Sequence, residues 1–147
     1  MQINDEVLGL VRKFMRELVP FNGFLGIEVD SLSEGRAVLS LPFRPEFIGD
    51  STRNPPALHG GLIATLLDTC GGAAVWTTVN PTDKVSTIDM RVDYLRPGRS
   101  ERLLAEALVI RTGNRVGVTT MRAYHPSAPS EAIAEARGVY NIKRVGD

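Results

Sequence analysis

The sequence predicts an α+β domain in which one long buried helix is covered by an antiparallel sheet. Three observations carry this. The stretch from Gly61 to about Thr78 is apolar on nearly every side and too long for one strand, which marks a helix surrounded by protein. Four strand-length segments follow it with no helix between them, which argues against alternating parallel βαβ units. Turn-forming residues separate the last of those segments.

In chain order, Val7, Leu8, Val11, Phe14, Met15 and Leu18 recur at three- and four-residue spacing between charged positions, so residues 1–20 hold an amphipathic helix ending before Pro20. From Phe24 to Leu41 the period shortens. Ile27 and Val29 alternate with Glu28 and Asp30, and Ser33-Glu34-Gly35 turns the chain into Ala37, Leu39 and Leu41, a hairpin. Pro42 to Pro56 holds four of the nine prolines and reads as a long loop that delivers the chain to His59. After the central helix, Thr87, Asp89, Arg91 and Asp93 share one parity and Ile88, Met90, Val92 and Tyr94 the other, a two-residue strand period. Strands are then expected at about Arg102–Arg111, Arg115–His125 and Glu131–Lys143, separated by Thr112-Gly113-Asn114 and by the Pro126–Ser130 loop.

With 147 residues, 43% hydrophobic and 23% charged, the chain is sized for a single core, so residues 1–147 are read as one domain with its core over 24–143. Seventeen basic and seventeen acidic side chains balance to zero, which leaves no basic stripe for nucleic acid and no broad attraction to an anionic membrane. Between Asn54 and Thr82 the only formal charge is Asp68, but Pro55, Pro56, the glycines and that carboxylate exclude a bilayer span. The N-terminal segment is too charged for a secretory signal, and the single cysteine, Cys70, excludes an intramolecular disulfide; a cytoplasmic location is the expectation. Two separated histidines without an acidic cluster point away from a metal site.

Asp68 is the most informative residue. Its neighbours three and four positions away along a helix are Thr65, Gly71, Ala64 and Gly72, none of which pairs with a carboxylate. Burial there is expected to raise its pKa and make it a base or nucleophile; the alternative is an anchor to a distant arginine or backbone amide. Gly60 and Gly61 open the same helix, where unpaired amides and the positive dipole end stabilise an oxygen that gains negative charge, although a simple tight helix entry is, taken alone, the more common explanation of a Gly-Gly pair. The pattern is not a dinucleotide, P-loop or serine-hydrolase signature. Gly60 and Asp68 lie eight residues apart, about 12 Å along a helix, so one carbonyl does not reach both within a chain. A dimer with antiparallel central helices would supply the acid from one chain and the amide from the other. His59 either orients a ligand or bonds the loop backbone; His125 has no companion; Cys70 sits off the Asp68 face as a buried thiol. Fourteen of the seventeen basic residues are arginine, and Arg96, Arg99 and Arg115 fall at strand ends, where guanidinium forks grip phosphate unless they are simply solvated.

The run HGGLIATLLD from His59 to Asp68, with IDMRVDYLRPG from Ile88 to Gly98, resembles the hotdog-fold acyl-CoA thioesterases of the phenylacetyl-CoA thioesterase (PaaI-like) type, over about Phe24 to Lys143. The resemblance implies a long helix wrapped by a curved antiparallel sheet of five or six strands, homodimers whose sheets join, and homotetramers as dimers of dimers. It implies hydrolysis of an acyl-CoA with no cofactor beyond the coenzyme A of the substrate. Asp68 would be the base or nucleophile, the Gly60 amide would polarise the carbonyl, His59 matches the motif histidine, and Thr87 most nearly matches a hydroxyl that assists water or the acid. Coenzyme A would run along Tyr94, Arg96, Pro97 and Arg99 and along the turn of Gly113, Asn114 and Arg115, with Gly61 beside it. Many relatives carry Asn or Gln about six residues before the histidine; here that residue is Arg53, which makes its neighbour Asn54 the candidate through a shifted loop. A non-catalytic acyl-CoA-binding or ligand-sensing protein is the alternative reading. The acyl pocket is expected from dispersed apolar side chains that include Trp76 and Phe24.

Overall fold

The computed structural model describes residues 5–146, so the start of the N-terminal segment (1–4) and residue 147 lie outside the described residues. Helix α1 (Asp5–Glu17) opens with Asp5 and Glu6 and closes with Arg16, charges that suit its dipole, and buries Val11 and Met15. Pro20 does end α1, but it also starts a second helix that the sequence reading missed. In α2 (Pro20–Leu25) proline occupies the first turn, where no amide partner is needed, and Gly26 at φ +82° closes the helix by donating to Asn22 and Gly23 carbonyls. The buried Asn22 amide donates to the Met15 carbonyl at 3.1 Å and locks α2 to α1. Phe24, read above as the start of an extended segment, is therefore helical.

The hairpin follows as expected: β1 (Glu28–Ser33) and β2 (Arg36–Leu41) turn at Gly35, whose φ of +77° favours glycine. A bridge between Ile48 and Leu58 and the Gly49 N–H to Ala57 C=O bond (2.9 Å) close the base of the long loop, which leaves residues 50–56 as an exposed tip. Helix α3 (Gly60–Trp76) comes next, then β3 (Lys84–Tyr94), β4 (Leu103–Thr112), β5 (Val116–Tyr124) and β6 (Ala134–Lys143). Among the described residues six strands form one antiparallel sheet in the order β1-β2-β4-β5-β6-β3, wrapped on α3.

Helix α3 is apolar all round because it is the axis of the core: Ile63, Leu66, Leu67, Cys70, Ala73 and Ala74 are buried, and each large aliphatic side chain removed from water contributes about 1.5–3 kcal/mol. The strands meet it with small residues, Ala37, Ala105, Ala107 and Ala123, so the sheet backbone comes close. Register slips between Val29 and Ser31, Thr87 and Asp89, and Val109 and Arg111 add bends that help the sheet curl. Helix α1 docks on the outside through an edge-to-face contact of Phe14 with Trp76, centroids 4.6 Å apart. No helix among the described residues is long and apolar enough to cross a membrane.

The slip in β3 corrects the parity read from the sequence. Thr87 pairs with Tyr140 and Asp89 with Val139, so Ile88 is the extra residue and the alternation reverses there. Thr87 consequently shares a face with Met90, Val92 and Tyr94, the face turned to α3, and not with Asp89, Arg91 and Asp93. Strand β3 is an edge of the sheet, and its exposed apolar side chains include Ile88 and Tyr94.

Candidate active site

Asp68 sits in the middle of α3 on the side facing β3 and β6. It is half-buried, not enclosed as the apolar run suggested. The Thr87 hydroxyl donates to Asp68 Oδ1 at 2.7 Å, a contact that the reversed β3 parity makes possible. The Tyr140 hydroxyl donates to the Asp68 main-chain carbonyl at 2.9 Å and lies 3.3 Å from Oδ1. Burial first, and the neighbouring Asp68 charge second, push the Tyr140 phenol well above its ordinary range, so it remains a donor. Among the described residues no cation pairs with Asp68 and no hydrogen bond occupies Oδ2. The carboxylate is thus held by one oxygen, and the other has no hydrogen-bond partner among the described residues.

Tyr140 was not singled out from the sequence. It lies 72 residues from Asp68 on a strand whose inward residues read as ordinary core. The available signal was a lone bulky side chain after Ala134, Ala136 and Gly138: a Cβ on Gly71 would lie 2.2 Å from the Tyr140 oxygen, and one on Gly138 would lie 2.7 Å from its ring.

At the other end of this half of α3, His59 is the helix N-cap. Its Nδ1 accepts from the Gly61 N–H at 2.8 Å, so the histidine side chain caps the first turn of α3. The Gly61 amide is thereby occupied, whereas Gly60, as first residue of the helix, has no carbonyl one turn back to bond. Tyr94 packs on Gly60 and donates to its carbonyl at 2.8 Å, fixing the helix start. Gly60 and Asp68 stand on one continuous helix, about 12 Å apart by its rise.

The remaining candidates fall in separate places. Arg96 donates to the Ala132 carbonyl at 2.6 Å, and the Arg99 guanidinium to Ser127 at 3.0 Å, with Glu101 3.3 Å away; Pro97 lies exposed between them. His125, dismissed from the sequence, organises this loop: fully buried, it takes the Arg99 N–H on Nε2 (2.9 Å), while Nδ1 lies 2.8 Å from the Arg102 carbonyl. The Gly113-Asn114-Arg115 turn sits at the opposite end of β5, about 25 Å away by the strand rise, with the Gly113 and Asn114 carbonyls bonded by Arg144. A single chain does not bring the two halves of the expected coenzyme A path together. Asn54 lies in the exposed 50–56 tip, with no hydrogen bond to Asp68 or the glycines. Cys70 is turned to the Ala37 and Ala105 carbonyls at 3.4 Å, and burial pushes its thiol up to about 12. Among the described residues no group of three metal-ligating side chains converges.

Two cavities flank α3. A cleft of about 240 Å³ begins at Asp68 and Thr87 and is walled by α1, α3 and the start of β3; Trp76 lines it. A wider groove of about 560 Å³ lies by His59 and Gly61, lined by Phe21, Phe24 and Arg44, whose guanidinium rests on Phe24 and Phe47. Trp76 and Phe24, expected in one pocket, line different ones.

Residues 56–130 match the thioesterase superfamily. The chain is 34% identical over 151 aligned residues to the medium/long-chain acyl-CoA thioesterase YigI of Escherichia coli K12, covering 94% of this chain and 95% of that one. A thioesterase family protein from Silicibacter pomeroyi superposes with a TM-score of 0.79 at 28% identity, over 93% of this chain and 98% of its own. The PaaI protein of Escherichia coli shares the fold with a TM-score of 0.80 at 24% identity, over 96% and 95%. With a family match over residues 56–130, a relative 34% identical over nearly its whole length, and one long helix wrapped by a six-stranded antiparallel sheet, the chain belongs to the hotdog-fold thioesterase superfamily.

Proposed function

We propose that the protein hydrolyses a small aromatic or medium-chain acyl-CoA to the free acid and coenzyme A in a site shared between two subunits. The observation that carries this is the Asp68 carboxylate, fixed through Oδ1 by Thr87 and Tyr140 at the mouth of an apolar cleft. In the reaction, the N–H at the start of one subunit's α3 binds the thioester oxygen as it gains charge. Asp68 of the other subunit either takes a proton from the attacking water or attacks the carbonyl carbon itself. The C–S bond breaks and coenzyme A leaves as thiolate, protonated by solvent or by the proton that Asp68 has taken; where Asp68 itself attacks, water then opens the acyl anhydride on Asp68, releasing the free acid and restoring the carboxylate. The acyl-CoA thioesterase name of YigI supports the reaction class for this chain.

Two features support the shared site. The amide and the acid sit about 12 Å apart on one rigid helix, too far for one carbonyl to touch both. The β3 edge, with exposed Ile88, Tyr94 and, just beyond it, Leu95, offers an unpaired ladder and apolar surface to a second copy. The Tyr94–Arg99 loop leads away from Gly60 and carries coenzyme A from there, while the Gly113–Arg115 turn joins the same ligand only from another subunit. Leu108, Ile110 and Val116, exposed on the sheet, suit pairing of dimers into a tetramer.

A mixing experiment tests the arrangement. Gly60→Pro removes the amide yet suits the first helical position, and His59 already has the extended backbone (φ −61°, ψ 130°) that a following proline requires. Gly60→Pro and Asp68→Asn are each expected to be inactive. Co-refolded in equal amounts, they should recover about a quarter of wild-type thiol release, because half the dimers are mixed and each mixed dimer holds one intact site. No recovery from dimers shown to be mixed would overturn the shared site of Asp68 and the Gly60 amide.

A further inference from the structure

The cleft beside Asp68 has a shape that narrows the substrate, and this step rests on the hydrolytic reading above. We propose that it holds a straight saturated acyl chain of about eight to ten carbons, with Gly72 as the residue that opens the path and Trp76 as the one that ends it.

The cleft follows one face of α3. Asp68 lies at its start, Gly72 one turn further and Trp76 two turns further, so its length along the helix is about 12 Å. With a C–C bond of ~1.5 Å, an extended chain advances about 1.3 Å per carbon, which gives the carbon count. Gly72 lies midway along this lining, and its missing side chain leaves the chain's route open. Trp76 closes the far end. Its ring is fixed by the Phe14 edge contact and by a bond from its Nε1 to the Pro81 carbonyl at 3.3 Å. The outer wall is Phe14 and Met15 of α1 with Val19, so the helix that precedes the sheet completes the pocket. Val85 of β3 faces it from the other side. The wider groove by Phe24 is not lined by Asp68; in the shared site it lies on the amide side and leaves the acid side to the cleft.

The test has two arms. Thiol release is measured with straight-chain esters from acetyl- to palmitoyl-CoA for the wild type, Gly72→Val and Trp76→Leu. The wild-type kcat/KM is expected to rise about fourfold per methylene up to roughly octanoyl or decanoyl and then fall. Gly72→Val should lower the decanoyl-to-butyryl ratio by about tenfold or more, and Trp76→Leu should shift the optimum to longer chains. If the valine variant does not fold, Gly72→Ala serves: its Cβ meets the Tyr140 ring at 3.5 Å, an ordinary contact, and the ratio should drop about fourfold, one methylene's worth. Equal scaling of every ester in the variants would overturn the proposal. The second arm needs no turnover. Trp76 is the sole tryptophan, so its emission reports the cleft end alone. The non-hydrolysable decyl thioether of coenzyme A should change it, and ethyl-CoA should not. Identical responses to the two would also overturn the proposal. A decyl-specific change in a protein that releases no thiol from any ester would sink hydrolysis and leave the cleft assignment standing.

Discussion

Asp68→Asn is expected to lower kcat/KM for acyl-CoA hydrolysis by about 10²–10⁴-fold, the range that a positioned base or nucleophile supplies. The variant separates charge from architecture. An asparagine carbonyl still accepts the Thr87 hydroxyl, and the Tyr140 bond to the main-chain carbonyl at 2.9 Å is untouched, so fold and assembly should persist. The check is thiol release beside a thermal melt and a sedimentation measurement. Activity within threefold of wild type, in protein that melts normally, would remove Asp68 from the reaction. Single-turnover hydrolysis in labelled water then divides the two roles. Direct attack by activated water puts solvent oxygen into the acid at once. An anhydride on Asp68 opened at the aspartyl carbonyl delivers an unlabelled Asp68 oxygen in the first turnover.

The second large effect is expected at Gly71 and is one of stability, with its neighbour as the control. By helix propensity alone, Gly→Ala inside α3 gains about 1 kcal/mol. At Gly71 packing outweighs this: the new Cβ would sit 2.2 Å from the Tyr140 oxygen and 2.5 Å from Met121 Sδ, and forcing them apart costs about 1–3 kcal/mol. It also pulls the Tyr140 hydroxyl from Asp68, a further ~1 kcal/mol. Gly71→Ala should therefore unfold at lower urea, by a net ~1–3 kcal/mol, with reduced turnover. Gly72→Ala, whose Cβ finds only an ordinary contact at 3.5 Å, should be neutral or more stable by up to about 1 kcal/mol. Adding Tyr140→Phe to Gly71→Ala removes the closest clashing atom and should return part of the loss. Equal stability of the two alanine variants would mean that Tyr140 is not wedged against α3 as described.

Several elements were legible because local chemistry names them. The heptad-like apolar spacing of α1, the unbroken apolar run of α3 and the glycine turn at Gly35 each require only neighbours in the chain. Helix α2 was missed because six residues between Pro20 and Gly26 are too few to show a period; proline and glycine set its ends, and packing through Asn22 sustains it. The β3 reading failed at one residue. A bulge at Ile88 leaves the sequence alternation intact while turning over the faces, and nothing local in Thr87-Ile88-Asp89 announces it. His125 looked idle because its partners, Arg99 and Arg102, lie more than twenty residues away.

By itself the sequence determined the class of fold, the lone acid on an apolar helix, the glycines at that helix's start and the distance between them, since a helix converts residue number into length. The tertiary structure alone decided which hydroxyls hold the acid, that Tyr140 is one of them, that His59 caps the helix, and that the expected coenzyme A residues lie at opposite ends of β5. The reason is physical. Periodicity and capping are short-range preferences, whereas a site is assembled by strand register, and a one-residue slip reassigns every side chain on a strand without changing the pattern that predicted it.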